Sequence, residues 1–184
     1  VEEVKKFCPI INCSPKIRYP VMGSTLQRRA GTARHDAVAW GYARGADSMG
    51  VDIIQNCEVK GIKRNGDSVE GIETTKGFIK TKKIGVVAAG HSSVIANMVD
   101  LKLPLESKPL QALVSEPVKP IIDTVVMSNA VHAYVSQSDK GELVIGAGTD
   151  AYVSYTQRGS HNIVEETLKA ILELYPLFSR MKML

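Results

Sequence analysis

Cysteine is scarce in these 184 residues, with three thiols, an odd number. Cys8, Cys13 and Cys57 form no CxxC and have no histidine at metal-ligand spacing. A disulfide framework and a structural zinc site are therefore not expected, and reduced thiols in a cytoplasmic protein fit this usage. Aromatic residues make up 5% of the chain, too few for a stacking platform on single-stranded nucleic acid. The net charge of +4 is spread out, and the short basic runs Arg28-Arg29 and Lys80-Thr81-Lys82-Lys83 lack interleaved aromatics. They read as solvated faces rather than a nucleic-acid footprint. No apolar run approaches the ~18 residues that a membrane helix needs. The charged start Val1-Glu2-Glu3-Val4-Lys5-Lys6 does not read as a signal peptide. An initiator Met is missing and the chain stops at Met183-Leu184 without a tail, which points to a piece of a longer protein.

What is present is ordinary for a folded domain: 44% hydrophobic and 23% charged residues. That is enough for one good core or two small ones. The first thirty residues carry Pro9, Pro15, Pro20 and Gly23 among short apolar pairs and read as an irregular lead-in lying on something else. From Thr32 to Gly50 the texture is helical, with Ala39, Trp40, Ala43, Ala46 and Met49 at three- and four-residue steps, Asp36 in the first turn and Gly50 as C-cap. Gly41 and Gly45 share a face, which suggests close approach of a neighbour or ligand.

Val51 to Val59 reads as a strand, followed by a meander (Val59 to Lys63, Val69 to Thr74, Gly77 to Lys82) with a hairpin signal at Asn65-Gly66-Asp67. Ile84 to Gly90 is almost continuously apolar, as in a strand buried on both faces. His91 to Met98 then reads as a helix with a serine cap, an arrangement that lets backbone approach a phosphate. Beyond Leu103 the pattern is mostly β: Pro109 to Glu116, Asp123 to Ser128, Val131 to Gln137, and Glu142 to Gly148 after the turn Asp139-Lys140-Gly141. A final amphipathic helix spans about Asn162 to Leu174, with Ile163, Leu168, Ile171, Leu172 and Tyr175 inward, and Pro176 ends it. The fold class is α+β, a mixed α/β arrangement.

Each chemical constellation has a plainer competitor. Ser92 and Ser93 beside His91 suggest a nucleophile and base, yet adjacent side chains at a helix start diverge and no GxSxG elbow is present, so capping is the better reading. Glu165-Glu166 reads as solvated helix surface. His132 in a strand pattern and His161 near a helix start read as structural. Two signals survive: the apolar strand ending at Ala88-Ala89-Gly90, and His35 in the first turn of a helix, where Pro or an acid would be ordinary. The positive helix end disfavours a protonated imidazole, leaving a ring nitrogen free to act as a nucleophile. On the residues alone, a structural or surface role for His35 keeps the edge.

Long stretches carry a resemblance. Gln27 to Arg44 leading into Gly50 to Val59, Val86 to Ser93, Pro104 to Ser107 with Pro109 to Pro117, and Tyr134 to Gly141 are similar to the β subunits of heterotetrameric sarcosine oxidases. These belong to the D-amino-acid-oxidase-like group of FAD-dependent amine oxidases. The resemblance covers nearly the whole chain. It implies oxidative demethylation of sarcosine, through non-covalent FAD and then a covalently attached FMN to oxygen, giving hydrogen peroxide. The histidine that carries FMN through its 8α carbon matches His35. Val59 matches the residue whose backbone contacts the adenosine part of FAD. Ala88, Ala89 and Gly90 would pass beside the FAD phosphates, and Tyr134 would line the sarcosine pocket as the catalytic-site candidate; no metal is implied. Partners would be the α, γ and δ subunits.

Residues 1–103 would hold the lead-in, helix and partial FAD-binding domain, and residues 104–184 a partial substrate-binding domain with its antiparallel sheet and C-terminal helix. The group's N-terminal βαβ unit with GxGxxG is absent. So are the segment after the final helix that supplies a substrate-carboxylate lysine, and the N-terminal arginine that pairs with that carboxylate. On this reading the chain is an internal fragment, inactive alone and retaining no flavin. The alternatives are another FAD-dependent amino-acid or glycerol-phosphate dehydrogenase of the same fold, and a cofactor-free interaction domain.

Overall fold

A computed structural model describes residues 1–184, the side chain of Ala147 excepted. The chain divides into two compact units: Ala33–Ser107, and Val1–Thr32 together with Lys108–Leu184. The proline-rich lead-in thus packs with the C-terminal part of the chain rather than with the helix that follows it.

In the unit Ala33–Ser107, helix α2 (His35–Ser48) ends where the sequence punctuates it. The N–H of Val51 donates to Ala46 O and that of Gly50 to Asp47 O, and Gly50 sits at φ 84. This is a Schellman closure, in which glycine supplies the left-handed residue without a Cβ penalty. Strands β1 (Val59–Asn65), β2 (Ser68–Thr74) and β3 (Gly77–Lys80) form an antiparallel sheet in that order. The β1–β2 link is tight, because Asn65 pairs with Ser68 and Gly66 turns at φ 55. A Cβ on Gly71 would run into the Phe78 ring and Ile79 O, so β3 lies close over β2 there.

Two expected strands are not formed. Val51 to Glu58, and Ile84 to Ala88, join no ladder among the described residues. β-branched sequence favours a pleated, half-buried surface but cannot supply the neighbouring strand that makes it one. The side chains show the same lack of cover: Ile53 and Ile54 are exposed, and Val87 is 99% exposed rather than buried on both faces. The apolar stripe of α2 is likewise uncovered. None of its residues is buried, Trp40 and Met49 are exposed, and a Cβ at Gly41 or Gly45 would meet nothing within 4 Å.

The other unit is built on a four-stranded antiparallel sheet in the order β4-β7-β6-β5. Its strands are β4 (Leu110–Pro117), β5 (Val126–Ser128), β6 (Ala133–Gln137) and β7 (Glu142–Thr149). Alternation sends Leu113 and Ser115, Ala133 and Val135, and Leu143 and Ile145 to one face. Helix α4 (His161–Leu174) covers that face with Ile171 and Leu174. Tyr175 and Phe178 stack 4.9 Å apart just beyond it, and Cys8 and Ile11, from the lead-in after α1 (Glu2–Phe7), complete the core. Burying an aliphatic side chain of this size contributes roughly 1.5–3 kcal/mol.

Polar anchors fix the margins of this core. Asn12 N–H donates to Leu174 O at 2.7 Å and Asn12 Nδ2 donates to Glu173 O at 3.0 Å, tying the lead-in to the end of α4. Fully buried Ser115 accepts the N–H of Leu143 at 2.9 Å and donates to Glu116 O at 2.7 Å. At the edge of β4, Glu116 N–H donates to Lys182 O and Leu184 N–H to Val114 O.

Candidate functional site

His35 is the first residue of α2 and is exposed. Beside it, the Asp36 carboxylate accepts the N–H of Ala37, which, with the Arg34 guanidinium 3.5 Å away, holds its pKa below the usual carboxylate range. An acid in this turn suits the positive end of the helix. Val59 opens β1 opposite Thr74 and is half-buried. Just before it, Glu58 N–H donates to Thr75 Oγ1 and Thr75 N–H to Glu58 O, which fixes the backbone at the start of the strand.

Ala88, Ala89 and Gly90 make a sharp turn. Ala88 lies at φ −112 and ψ 17, Ala89 at φ 44, and a short 3-10 turn over Ala89–His91 runs into α3 (Ser92–Asn97). Left-handed backbone at an alanine is costly, and such residues persist where their surroundings hold them. Here Ser107 Oγ donates to Gly90 O at 2.6 Å, and a Cβ on Gly90 would sit 3.0 Å from that hydroxyl. The expected serine cap is not made: His91 occupies the N-cap position of α3, without a side-chain capping bond. His91, like Arg34, has interacting neighbours.

Tyr134 belongs to the other unit, on the face of the four-stranded sheet opposite α4. It pairs with Gly146 across β6 and β7, and its ring lies over that glycine. Of the two remaining histidines, His161 opens α4, and His132 lies in the β5–β6 turn at φ 47 rather than in a strand.

Sequence reasoning missed a polar cluster at the end of β7. Asp150, 5% exposed, accepts from Ser160 Oγ at 2.6 Å and from Gln111 Nε2 at 3.0 Å, while Ser160 N–H donates to Gln111 Oε1 at 3.1 Å. These residues lie 39 and 49 positions from Gln111, so no local motif signals them. The cluster borders a groove of 460 Å³ between Pro109–Leu113 and the segment 156–159. None of the residues nominated from sequence lines that groove. Among the described residues, no group of acids, cysteines and histidines is placed to hold a metal ion, and no helix is long and apolar enough to cross a membrane.

Residues 2–183 match the family described as FAD dependent oxidoreductase. The chain belongs to that family. Its sequence is 57% identical over 183 residues to the sarcosine oxidase subunit beta of Rhodobacter capsulatus, covering 100% of this chain and 44% of the relative. It is 56% identical over 179 residues to the protein of the same name from an Arthrobacter species, covering 97% and 44%. The chain therefore spans less than half the length of these curated relatives. Among solved structures, L-proline dehydrogenase from P. horikoshii superposes with a TM-score of 0.88 at 24% identity, covering all of this chain and 49% of that one. Glycine oxidase from Bacillus cereus gives 0.64 at 16% identity, over 79% of this chain and 40% of the other. These likenesses establish a shared fold, mixed helix and antiparallel sheet, as the sequence led one to expect.

Family membership implies FAD, and the chain's own residues can be tested against it. The backbone at Val59 and the glycine-bearing turn at Ala88–Gly90, where backbone contacts were expected, both belong to the unit Ala33–Ser107. No glycine-rich GxGxxG phosphate loop occurs anywhere in the 184 residues. The fit in this FAD-dependent oxidoreductase chain is therefore partial: the pyrophosphate cradle is not among these residues.

Proposed function

We propose that these residues serve as part of a sarcosine oxidase β subunit, which oxidatively demethylates sarcosine and yields hydrogen peroxide. One observation carries this reading: identity of 55–57% to three β subunits of that name, over 97–100% of this chain. In this reading, the FAD-binding part falls within residues 1–103 and the substrate-binding part within 104–184. Val59 and Ala88–Gly90 hold FAD through their backbone, His35 carries FMN through a ring nitrogen, and Tyr134 lines the sarcosine pocket. The working enzyme is a cytoplasmic heterotetramer with α, γ and δ subunits.

When bound, the flavins supply the electron acceptance that amino-acid side chains lack. The chain's own contribution is placement. Exposed His35 at the first position of α2 leaves its imidazole accessible for attachment, and the Ser107 bond to Gly90 O holds the Ala88–Gly90 turn in shape. These 184 residues alone are expected to be inactive, because the pyrophosphate cradle is missing from them.

The full-length complex should form peroxide in step with sarcosine loss, and should turn over L-proline and glycerol phosphate far more slowly. Preference for either of those compounds would replace this reading with another FAD-dependent dehydrogenase activity. Mass spectrometry of the tryptic peptide containing His35, taken from active complex, should show added FMN. An unmodified peptide from active complex would remove His35 from its role.

A further inference from the structure

Gly146 sits in mid-strand, where glycine weakens a sheet and needs a reason. Left-handed backbone is not the reason: Gly50, Gly66, Gly77 and Gly141 are the described glycines at positive φ, and Gly146 is not among them. The reason lies above it. A Cβ at Gly146 would stand 2.6 Å from Tyr134 Cζ and 2.8 Å from its hydroxyl oxygen, and closer still to Cε1. The hydroxyl end of the ring thus occupies the space of the missing side chain.

The register extends this pair into a row. Met127 faces Tyr134, Tyr134 faces Gly146, and Gly146 faces Ala112, so a large ring lies beside two small residues on one side of the sheet. The next row on the same face is Ser136, Val144 and Val114, and neither row contains a charged side chain. A flat, uncharged floor with a single phenol hydroxyl suits the apolar carbons of a small amine.

We propose that Gly146 is a positioning residue that keeps the Tyr134 ring down on the sheet, and so sets the height of the space available to the N-substituent of a small amino-acid substrate. This rests on the reading that Tyr134 lines the substrate pocket. Any side chain at 146 lifts the ring, raises the floor and selects against bulkier amines, without touching the group that accepts electrons.

The test uses the full-length complex with Gly146→Ala, Tyr134→Ala and the double variant. Gly146→Ala should raise KM for sarcosine at least fivefold, with kcat within twofold, and the penalty should be larger for N-ethylglycine. In the Tyr134→Ala background, adding Gly146→Ala should change neither KM nor thermal stability further. Additive losses in stability would overturn the proposal, since the glycine would then matter for a reason other than the ring. Non-additive stability with sarcosine KM unchanged in both single variants would confirm the seat and overturn the pocket role of Tyr134. If Gly146→Ala fails to fold, recovery in the double variant supports the proposal and persistent failure refutes it.

Discussion

The hydroxyl of Ser160 donates to the carboxylate of Asp150 at 2.6 Å, closing the segment between β7 and α4 on itself. Gln111 joins from β4, bonding to both, so one buried carboxylate fixes two chain segments. Hydrogen bonds to a charged acceptor contribute about 1.5–3 kcal/mol, and unpaired buried donors cost about as much again. Ser160→Ala should therefore destabilise by about 2 kcal/mol in urea denaturation. Asp150→Asn should cost at least as much, because an amide there presents hydrogens to the Gln111 or Ser160 donors. A change under about 0.5 kcal/mol for both would mean that water replaces the network at little cost.

Gln137 has a comparable task at the other end of the sheet. Its carbonyl accepts the N–H groups of Ile121 and Ile122, and its amide donates to Val118 O, Lys119 O and Gly141 O. Gln137→Ala should lose about 1–3 kcal/mol. It should also abolish hydrogen-exchange protection at Ile121 and Ile122 before the strand amides are affected. Retained protection at those two amides would show that the loop is held by other contacts.

Alkaline pH should weaken the fold through two buried groups. Burial pushes the Cys8 thiol up, an effect that the Tyr175 hydroxyl partly offsets by donating to the sulfur. The Tyr175 phenol is pushed up as well, chiefly by burial and further by Cys8. Groups whose folded pKa exceeds the unfolded one keep their protons longest in the folded state. The unfolded chain starts to release them at about pH 8.5 for the thiol and about pH 10 for the phenol. Stability should be whole below that window and fall as pH rises through it. Tyr175→Phe should flatten the upper part of the decline in urea melts taken at increasing pH; an unchanged slope would assign the loss to other groups.

The lone tryptophan reports on α2. Trp40 is 56% exposed, so emission from this 184-residue chain should lie close to that of free tryptophan and be fully open to acrylamide quenching. Blue-shifted, protected emission would show that the apolar side of α2 is covered in solution.

Local signals made much of the architecture readable. Apolar spacing and Gly50 gave α2 to within a few residues, Asn65-Gly66 marked its hairpin, and alternation with Lys140-Gly141 identified the β6–β7 pair. Failure came where a segment needs something distant. Ile84 to Ala88 has the composition of an interior strand, but composition does not bring a neighbour, and Val87 stands in solvent. Cys8 and Ile11 were hidden among prolines because their partners are Leu174 and Tyr175, at the other end of the sequence. Resemblance gave the site residues their roles, and it alone nominated Val59 and Tyr134. The Gln111, Asp150 and Ser160 cluster and the Tyr134–Gly146 seat emerge only from strand register.

The pairing of β4 with β7 steps out of register between Gln111 and Ala112. As a result Gly146 faces Tyr134 while Gly148, two residues on, faces Ile163 and Thr167 of α4. In an unbroken strand, residues two apart share a face. Insertions and deletions should therefore be tolerated very unevenly here. Losing the one residue between Gly146 and Gly148 would only remove the bulge, since those two glycines already face opposite sides, whereas losing one between Gly148 and Asp150 would carry Asp150 away from Gln111 and Ser160. Beyond the bulge, the number of residues before Asp150 matters to its hydrogen bonds as much as their identity does.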